Sequence, residues 1–288
     1  MSEKILVTGA SGQLGHLVIN ALLKDLPAQQ IVAGARTVGK AGDLAARGVQ
    51  VREIDYERPE TLDAALVGID KLLLISSSEI GRRAPQHKAV IEAARKAGIK
   101  LLVYTSVLHA DTSVLGLAGE HRQTEQYLAA SGVPGVILRN GWYTENYAVS
   151  IPAAVAHGVF LGSAGDGRIA SAARRDYAEA AARVLVSREE QAGKIYELAG
   201  DEAYTLAELA AEVTRQSGRT LAYQDLPEEE YRKALIDAGL PGPVAVLLAD
   251  SDARAAGGAL FDDSHTLSRL IGRPTTTLAE VIAAALAS

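Results

Sequence analysis

The chain reads as an α/β protein built on a doubly wound parallel sheet, followed by a smaller mixed α/β lobe. Three observations predict this. Short apolar runs alternate with amphipathic stretches through the first half, the order expected of βαβ units. Runs such as "KLLLIS" and "KLLVYTS" are continuously apolar, as in strands covered on both faces. Three evenly spaced glycines, Gly9, Gly12 and Gly15, separate the first apolar run from the first amphipathic one.

Taken in order, the strands fall at Lys4–Thr8, Gln30–Ala35, Val49–Ile54, Lys71–Ser76, Lys100–Thr105 and Gly135–Arg139. Helical patterns lie between them, near Gln13–Lys24, Lys40–Arg47, Pro59–Leu66, Pro85–Ala97 and Glu120–Ala130. In the first, Leu14, Leu17, Val18, Ala21 and Leu22 recur at the i, i+3, i+4, i+7, i+8 spacing of one helical face. The regularity changes after about Gly141. A helical stretch, the run "GVFLG", a helix Tyr177–Val186, a strand "KIYELAG" and a helix Leu206–Gln216 follow. "PEEEYRKALIDAG" and "PGPVAVLLADSDA" read as a helical lid, and "TTTLAEVIAAALA" as a closing helix with a threonine cap near its start. The expected division is a nucleotide-binding domain over residues 1–150 and a substrate-binding lobe over 151–288, with a late strand and helices returning to the core of the first.

Composition narrows the function. The 288 residues carry a net charge of -6 and no basic tract, which argues against nucleic acid as a partner. There is no cysteine, so disulfides, thiolate catalysis and cysteine–metal sites are excluded. The six histidines are scattered without metal-ligand spacing, and no metal is expected. No apolar run approaches the ~18 residues of a membrane helix. Nothing before the first strand resembles a signal peptide. A cytoplasmic location is the expectation, with a homodimer left open.

The stretch "VTGASGQLG" carries the first chemistry. A strand, a glycine turn and a helix place free N–H groups and the positive end of a helix dipole over the turn. A phosphate is the natural occupant. Glycine admits backbone conformations closed to other residues and lets a ligand come close. Gly9, Ser11, Gly12, Gln13, Leu14 and Gly15 are therefore candidate dinucleotide-binding residues of a Rossmann sheet. Their G-x-x-G-x-x-G spacing resembles the turn of the extended and atypical short-chain dehydrogenases/reductases.

Arg36 ends the second strand, 21 residues past Gly15, where NAD sites carry an acid that grips the ribose hydroxyl. A guanidinium there suits a 2′-phosphate, so NADPH is expected over NADH. Thr37 and Lys40 can add donors. Asp55, just after the third strand, is placed to meet the adenine or to cap a turn. Ser76, Ser77 and Ser78 end the fourth strand beside the central crevice; they either border the cofactor or simply end the strand. Arg174 either reaches a cofactor phosphate or only precedes its helix.

Most short-chain dehydrogenases carry Tyr-x-x-x-Lys on the helix after the fifth strand, where Lys⁺ lowers the phenol pKa for proton transfer. None of the ten tyrosines here has a lysine four residues later. The best alignment places His121 and Glu125 at those positions, with Ser106 at the companion serine. The usual ketone–alcohol proton relay is missing.

"TGASGQLG", "LLLISSSEIGRRAPQH", "YTSVLHADTS", "LRNGWYTENY" and "FDDSHTLSRLIGRPTTTLAE" together resemble the NmrA-like, atypical short-chain dehydrogenase family, most nearly its bacterial NAD(P)H:quinone oxidoreductases. The resemblance covers essentially the whole chain and extends to triphenylmethane-dye reductases. It implies NADPH in an N-terminal Rossmann domain and a quinone held against the C-terminal lobe. It also implies that Asn140, Gly141, Trp142 and Tyr143 line the nicotinamide site. The chemistry agrees, because hydride delivered to a quinone leaves a weakly basic phenolate, and positioning can replace a dedicated acid. Asn140 and Tyr143 are the candidate catalytic residues. Asn140 can hold a carboxamide or a quinone oxygen, and Trp142 can stack on a flat ring. Tyr143 or Tyr147 can donate to the quinone; equally, Trp142, Tyr143 and Tyr147 can be packing between lobes. A dinucleotide-sensing regulator without catalysis, as among some NmrA-like proteins, is the alternative reading.

Overall fold

In the computed structural model of the chain, residues 3–287 are described. Strands β1 (Ile5–Val7), β2 (Ile31–Ala35), β3 (Gln50–Glu53), β4 (Lys71–Leu74), β5 (Leu101–Val107), β6 (Gly135–Asn140) and, later in the chain, β8 (Ile195–Leu198) form one sheet. Their order is β3-β2-β1-β4-β5-β6-β8, and β1 to β6 pair in parallel. This is the doubly wound order, with the reversal between β1 and β4. "KIYELAG" thus supplies the last strand of the main sheet.

The intervening helices are α1 (Gln13–Asp25), α2 (Gly42–Ala46), α3 (Pro59–Ala65), α4 (Arg83–Ala97) and α5 (Ala118–Ser131). The expected Lys40–Arg47 helix begins as a 3₁₀ turn over Val38–Ala41 and becomes α-helical only at Gly42. Glycines at 39 and 42 disfavour a longer α-helix there. Central strands are buried on both faces, Leu6, Leu72, Leu102 and Tyr104 completely. Each such side chain contributes about 1.5–3 kcal/mol relative to exposure. Edge strand β3 instead shows Gln50 and Glu53 to solvent, which discourages further pairing.

Contacts divide the chain into two compact units. The first holds the residues through Ala110, with Glu120–Asn140 and Arg174–Tyr196; the second holds Asp111–Gly119, Gly141–Ala173 and the residues from Glu197 onward. In the first unit, α8 (Arg174–Val186) packs along α1. Its buried Ala178, Ala180, Ala181 and Ala182 allow a close approach against the buried Leu14, Val18, Ile19 and Leu22 of α1. Lys71 Nζ, at the start of β4, donates to the Leu185 carbonyl at 2.9 Å. The C-terminus of α8 therefore lies at the amino edge of the sheet, and Arg174 starts the helix at the opposite end.

The second unit carries α6 (Glu145–Ala148), α7 (Ile151–His157), α9 (Leu206–Ser217), α10 (Glu228–Asp237), α11 (Gly242–Ala255), α12 (Thr266–Ile271) and α13 (Leu278–Leu286). "GVFLG" forms β7 (Val159–Gly162), paired in parallel with β9 (Ala222–Asp225). β9 leaves no mark in the sequence, because three of its four residues are exposed and no apolar alternation shows it. The expected threonine cap of the last helix is Thr277, in a capping box with Glu280; Thr205 and Glu208 cap α9 in the same way.

Candidate active site

In parallel strands every C-terminus lies on one edge, so the residues after β1, β2, β3, β4 and β6 gather there. The glycine turn follows β1. Gly9 has φ of 59°, a left-handed conformation, and its carbonyl accepts the Gly12 N–H at 2.9 Å. Gly15 is where α1 meets the turn: a Cβ there would stand 2.4 Å from the Gly9 carbonyl oxygen. At Gly12 a Cβ would meet only that oxygen, at 3.2 Å, and Gly12 is exposed, so its role is to leave the space over the turn open. No side chain caps α1 and no acid lies in its first turn. Ser11 and Gln13 are exposed and Leu14 is buried. An uncapped helix end over a glycine turn fits a diphosphate.

Arg36 follows β2 but is not a free cation. Its Nη1 lies 2.5 Å from Glu79 Oε1. Lys40 and Thr37 are exposed beside it. Asp55 Oδ1 accepts the Glu57 N–H at 3.0 Å, so its carboxylate caps the turn after β3. Ser76 and Ser77 are half-buried and Ser78 is exposed. The Ser77 N–H donates to His87 Nε2 at 2.9 Å, and Arg83 Nε donates to the Ser77 carbonyl at 2.7 Å. Two buried side chains of α4 thus hold the loop after β4. The tight histidine–serine contact was not foreseen, since the sequence places His87 on a helix with no sign of its target.

The relay positions are closed. Ser106 Oγ donates to Glu125 Oε1 at 2.6 Å, and Arg139 Nη2 to Glu125 Oε2 at 2.8 Å, all three residues being buried. Ser106 and Arg139 face each other across β5 and β6, so both reach one carboxylate. His121 Nδ1 lies 2.8 Å from the Tyr104 hydroxyl, with both side chains buried. Burial first, and then the Arg83 and His87 charges, push His121 well below the usual histidine range, so it stays neutral. A buried ion pair and a neutral imidazole thus stand where the proton relay would be.

Asn140 is the last residue of β6, 5% exposed, and its backbone carbonyl accepts the Leu108 N–H at 2.9 Å. Its side-chain Oδ1 is buried with no partner. An acceptor left unmade in this way costs about 1–3 kcal/mol, and a donor from a bound group fits there. Three strand spacings of about 4.8 Å separate β6 from β1, about 14 Å in all, a span suited to an extended dinucleotide. Glycine turn, uncapped helix and orphaned carboxamide oxygen all fit that group.

In the second unit, Gly141 N–H donates to the Leu198 carbonyl at 2.7 Å, and the Trp142 carbonyl accepts from the Ala172 N–H at 3.1 Å. A parallel bridge joins Tyr143 and Ala172. Trp142 is buried and Tyr143 half-buried. Tyr147 is buried and its hydroxyl donates to Asp252 Oδ1 at 2.8 Å, so it is engaged within this unit's core. Asp252 carried no sequence signal, because only the fold shows a carboxylate on α11 turned inward.

Fold and site together define a dinucleotide-dependent oxidoreductase: the chain belongs to the NAD(P)H-binding family, whose model matches residues 9–188. It is 60% identical to Quinone oxidoreductase 2 of Escherichia coli (strain K12) over 96% of this chain and 97% of that one. A crystal structure of an NADPH-dependent quinone oxidoreductase from Escherichia coli, complexed with NADPH, superposes with a TM-score of 0.95 at 59% identity, over 98% of this chain and 99% of the other. The Citrobacter sp. triphenylmethane reductase complexed with NADP(H) follows at a TM-score of 0.94 and 38% identity, over 98% and 100%. The negative transcriptional regulator NmrA, solved with NAD, shares the fold at a TM-score of 0.80 and 16% identity, over 98% and 95%.

Proposed function

We propose that this chain is an NADPH-dependent reductase that passes two electrons and a proton equivalent to a quinone. The observation that carries the reading is the closed relay: His121 and Glu125 align with the Tyr and Lys positions, His121 tied to Tyr104 and Glu125 to Ser106 and Arg139. When bound, NADPH supplies hydride. The glycine turn, with Ser11, Gln13 and Leu14 at the start of α1, holds its diphosphate, and Arg174 reaches a phosphate from the start of α8. Arg36, with Thr37 and Lys40, meets the 2′-phosphate; Asp55 and Ser76–Ser78 border the adenosine and the crevice. Asn140 accepts a carboxamide N–H and so fixes the orientation of the nicotinamide. Gly141 and Trp142 continue this nucleotide contact along the chain, and Tyr143 donates to the quinone oxygen. None of these residues delivers a proton to an alkoxide, and a quinone does not require it. Among the described residues no helix is long and apolar enough to cross a membrane. A cytoplasmic site of action belongs to the same proposal.

The test is NADPH oxidation with 1,4-benzoquinone, a naphthoquinone or acetone as acceptor. Quinones are expected to turn over and acetone to give no rate above background. Asn140→Ala should lower kcat roughly 10-fold or more while shifting the NADPH Kd less than about 3-fold, as for an interaction used mainly in the transition state. Binding of NADPH without oxidation by any quinone would instead make the chain a sensor. Brisk acetone reduction would reveal an acid catalyst outside the closed relay.

A further inference from the structure

In the sheet order β1 lies between β2 and β4. Arg36 follows β2 and Glu79 follows β4, so the ion pair joining them crosses the carboxyl end of β1, over the glycine-turn side of the crevice. Glu79 receives more than Arg36. Its Oε2 accepts from Gln86 Nε2 at 2.9 Å and lies 3.6 Å from Arg82 Nη1. Arg82 Nη2 in turn pairs with Glu57 at 2.5 Å. Arg36, Arg82, Glu57 and Glu79 thus balance to no net charge beside the end of β2. A 2′-phosphate brings about two negative charges to that place.

The loop carrying Glu79 is tied down on its other side. Beyond the Ser77 contacts to His87 and Arg83, Gly81 N–H and Arg83 N–H both donate to the Glu120 carboxylate, at 3.0 and 2.9 Å. The Glu79 N–H donates to Ser77 Oγ at 3.1 Å. Glu79 is therefore fixed from its backbone outward. Arg36, whose side chain is 64% exposed against 27% for Glu79, is the partner free to swing. Hydrogen bonding from Gln86 first, then from Arg36, and the charges of Arg36 and Arg82 hold the Glu79 carboxyl below the usual glutamate range, so it is ionised at neutral pH.

We propose that Glu79 is a specificity-determining residue: it is the counterion that the 2′-phosphate must replace on Arg36, and it sets the margin by which NADPH is preferred to NADH. NADH leaves the Arg36–Glu79 pair in place across the crevice. NADPH must open it and then sit beside the carboxylate it displaced. The enzyme consequently holds NADPH less tightly than the bare guanidinium would allow. The inference rests on the reading of Arg36 as the 2′-phosphate contact.

The experiment is a fluorescence titration of NADPH and NADH against the wild type, Glu79→Gln, Glu79→Asp, Arg36→Ala and the Arg36→Ala/Glu79→Gln double variant, each checked for a native circular dichroism spectrum. Glu79→Gln should tighten NADPH roughly 3- to 10-fold and change NADH less than about 2-fold, the scale of one partly exposed charge pair. Glu79→Asp keeps the charge and should stay within about 2-fold of wild type for NADPH. In the Arg36→Ala background the gain from Glu79→Gln should shrink, because only the repulsion between the carboxylate and the phosphate is then left to relieve. An NADPH affinity that is unchanged or weakened in Glu79→Gln overturns the proposal, as does an undiminished gain without Arg36. Arg36→Ala alone tests the underlying reading, which fails if NADPH and NADH affinities fall equally.

Discussion

Asp252 shows how much one buried atom pair can matter. It is 1% exposed on α11, and its carboxylate accepts the Tyr147 hydroxyl and, at 3.3 Å, the Ser163 N–H. Burial outweighs these bonds and pushes the carboxyl up to about 6. A carboxyl whose folded pKa is raised stabilises the fold fully below its unfolded value of about 3.9 and loses that stability as pH climbs through about 6. The loss is about 3 kcal/mol, two pKa units converted to free energy. Asp252→Asn should therefore gain on the wild type as pH rises from 4 to 7. Urea unfolding of both proteins across that range checks it, and parallel curves would show that Asp252 keeps an ordinary pKa in the fold. At this scale the places of Asn140 and Arg36 at strand ends were legible, because an apolar run marks where a strand stops. Glu79 and Asp252 were not, since a carboxylate's partner is set by loops and helices far away in sequence.

At the scale of elements, the β1–α1 turn distributes three tasks over three similar glycines. Gly9 takes the left-handed conformation, Gly15 admits the helix against the turn, and Gly12 keeps the surface above it open. The spacing in the sequence announces the turn but treats the glycines alike. The structure predicts that they fail differently. Gly15→Ala would put a Cβ 2.9 Å from Ala10 Cα as well as against the Gly9 carbonyl, forcing α1 away from the turn. A loss of roughly 1–3 kcal/mol in stability is expected. Gly12→Val meets only the Gly9 carbonyl oxygen, at 3.2 Å, and should unfold within a few degrees of wild type, yet its branched side chain would stand over the N–H groups proposed to meet a diphosphate. Thermal denaturation with NADPH titration separates the two, and a Gly12→Val protein that binds NADPH at wild-type affinity would remove the turn from the site. β9 shows the reverse case: an exposed strand formed by pairing with β7 leaves no periodic trace.

Over the whole molecule, buried titratable groups of opposite tendency offset one another. His87 is fully buried and pushed down to about 3 by desolvation first and then by the Arg83 charge, and His121 is lowered as well. For a base whose folded pKa is depressed, stability is lost as pH falls below the unfolded value of about 6.5. Unfolding at pH 5 therefore takes up nearly one proton at each histidine and releases nearly one from Asp252. Complete unfolding in guanidinium at pH 5, in weakly buffered solution, should take up about one proton fewer in His121→Gln than in the wild type, and about one more in Asp252→Asn. A potentiometric record showing equal uptake in all three proteins would mean that these groups titrate normally in the fold.

The sequence by itself determined the sheet class, the glycine turn, the missing proton relay and the strand ends where Arg36 and Asn140 stand. These are local properties: apolar periodicity, backbone freedom and the chemistry of a residue at the end of a strand. Only the tertiary structure decided that Glu125 pairs with Arg139, that the Asn140 oxygen is left without a partner, and that Glu79 reaches Arg36 across the end of β1. It also set the bounds of the segment that the sequence led one to expect would return, Arg174–Tyr196 in the first unit. Each of these joins residues from different elements, with energies set by burial and distance, and neither quantity exists along the chain until the strands are placed side by side.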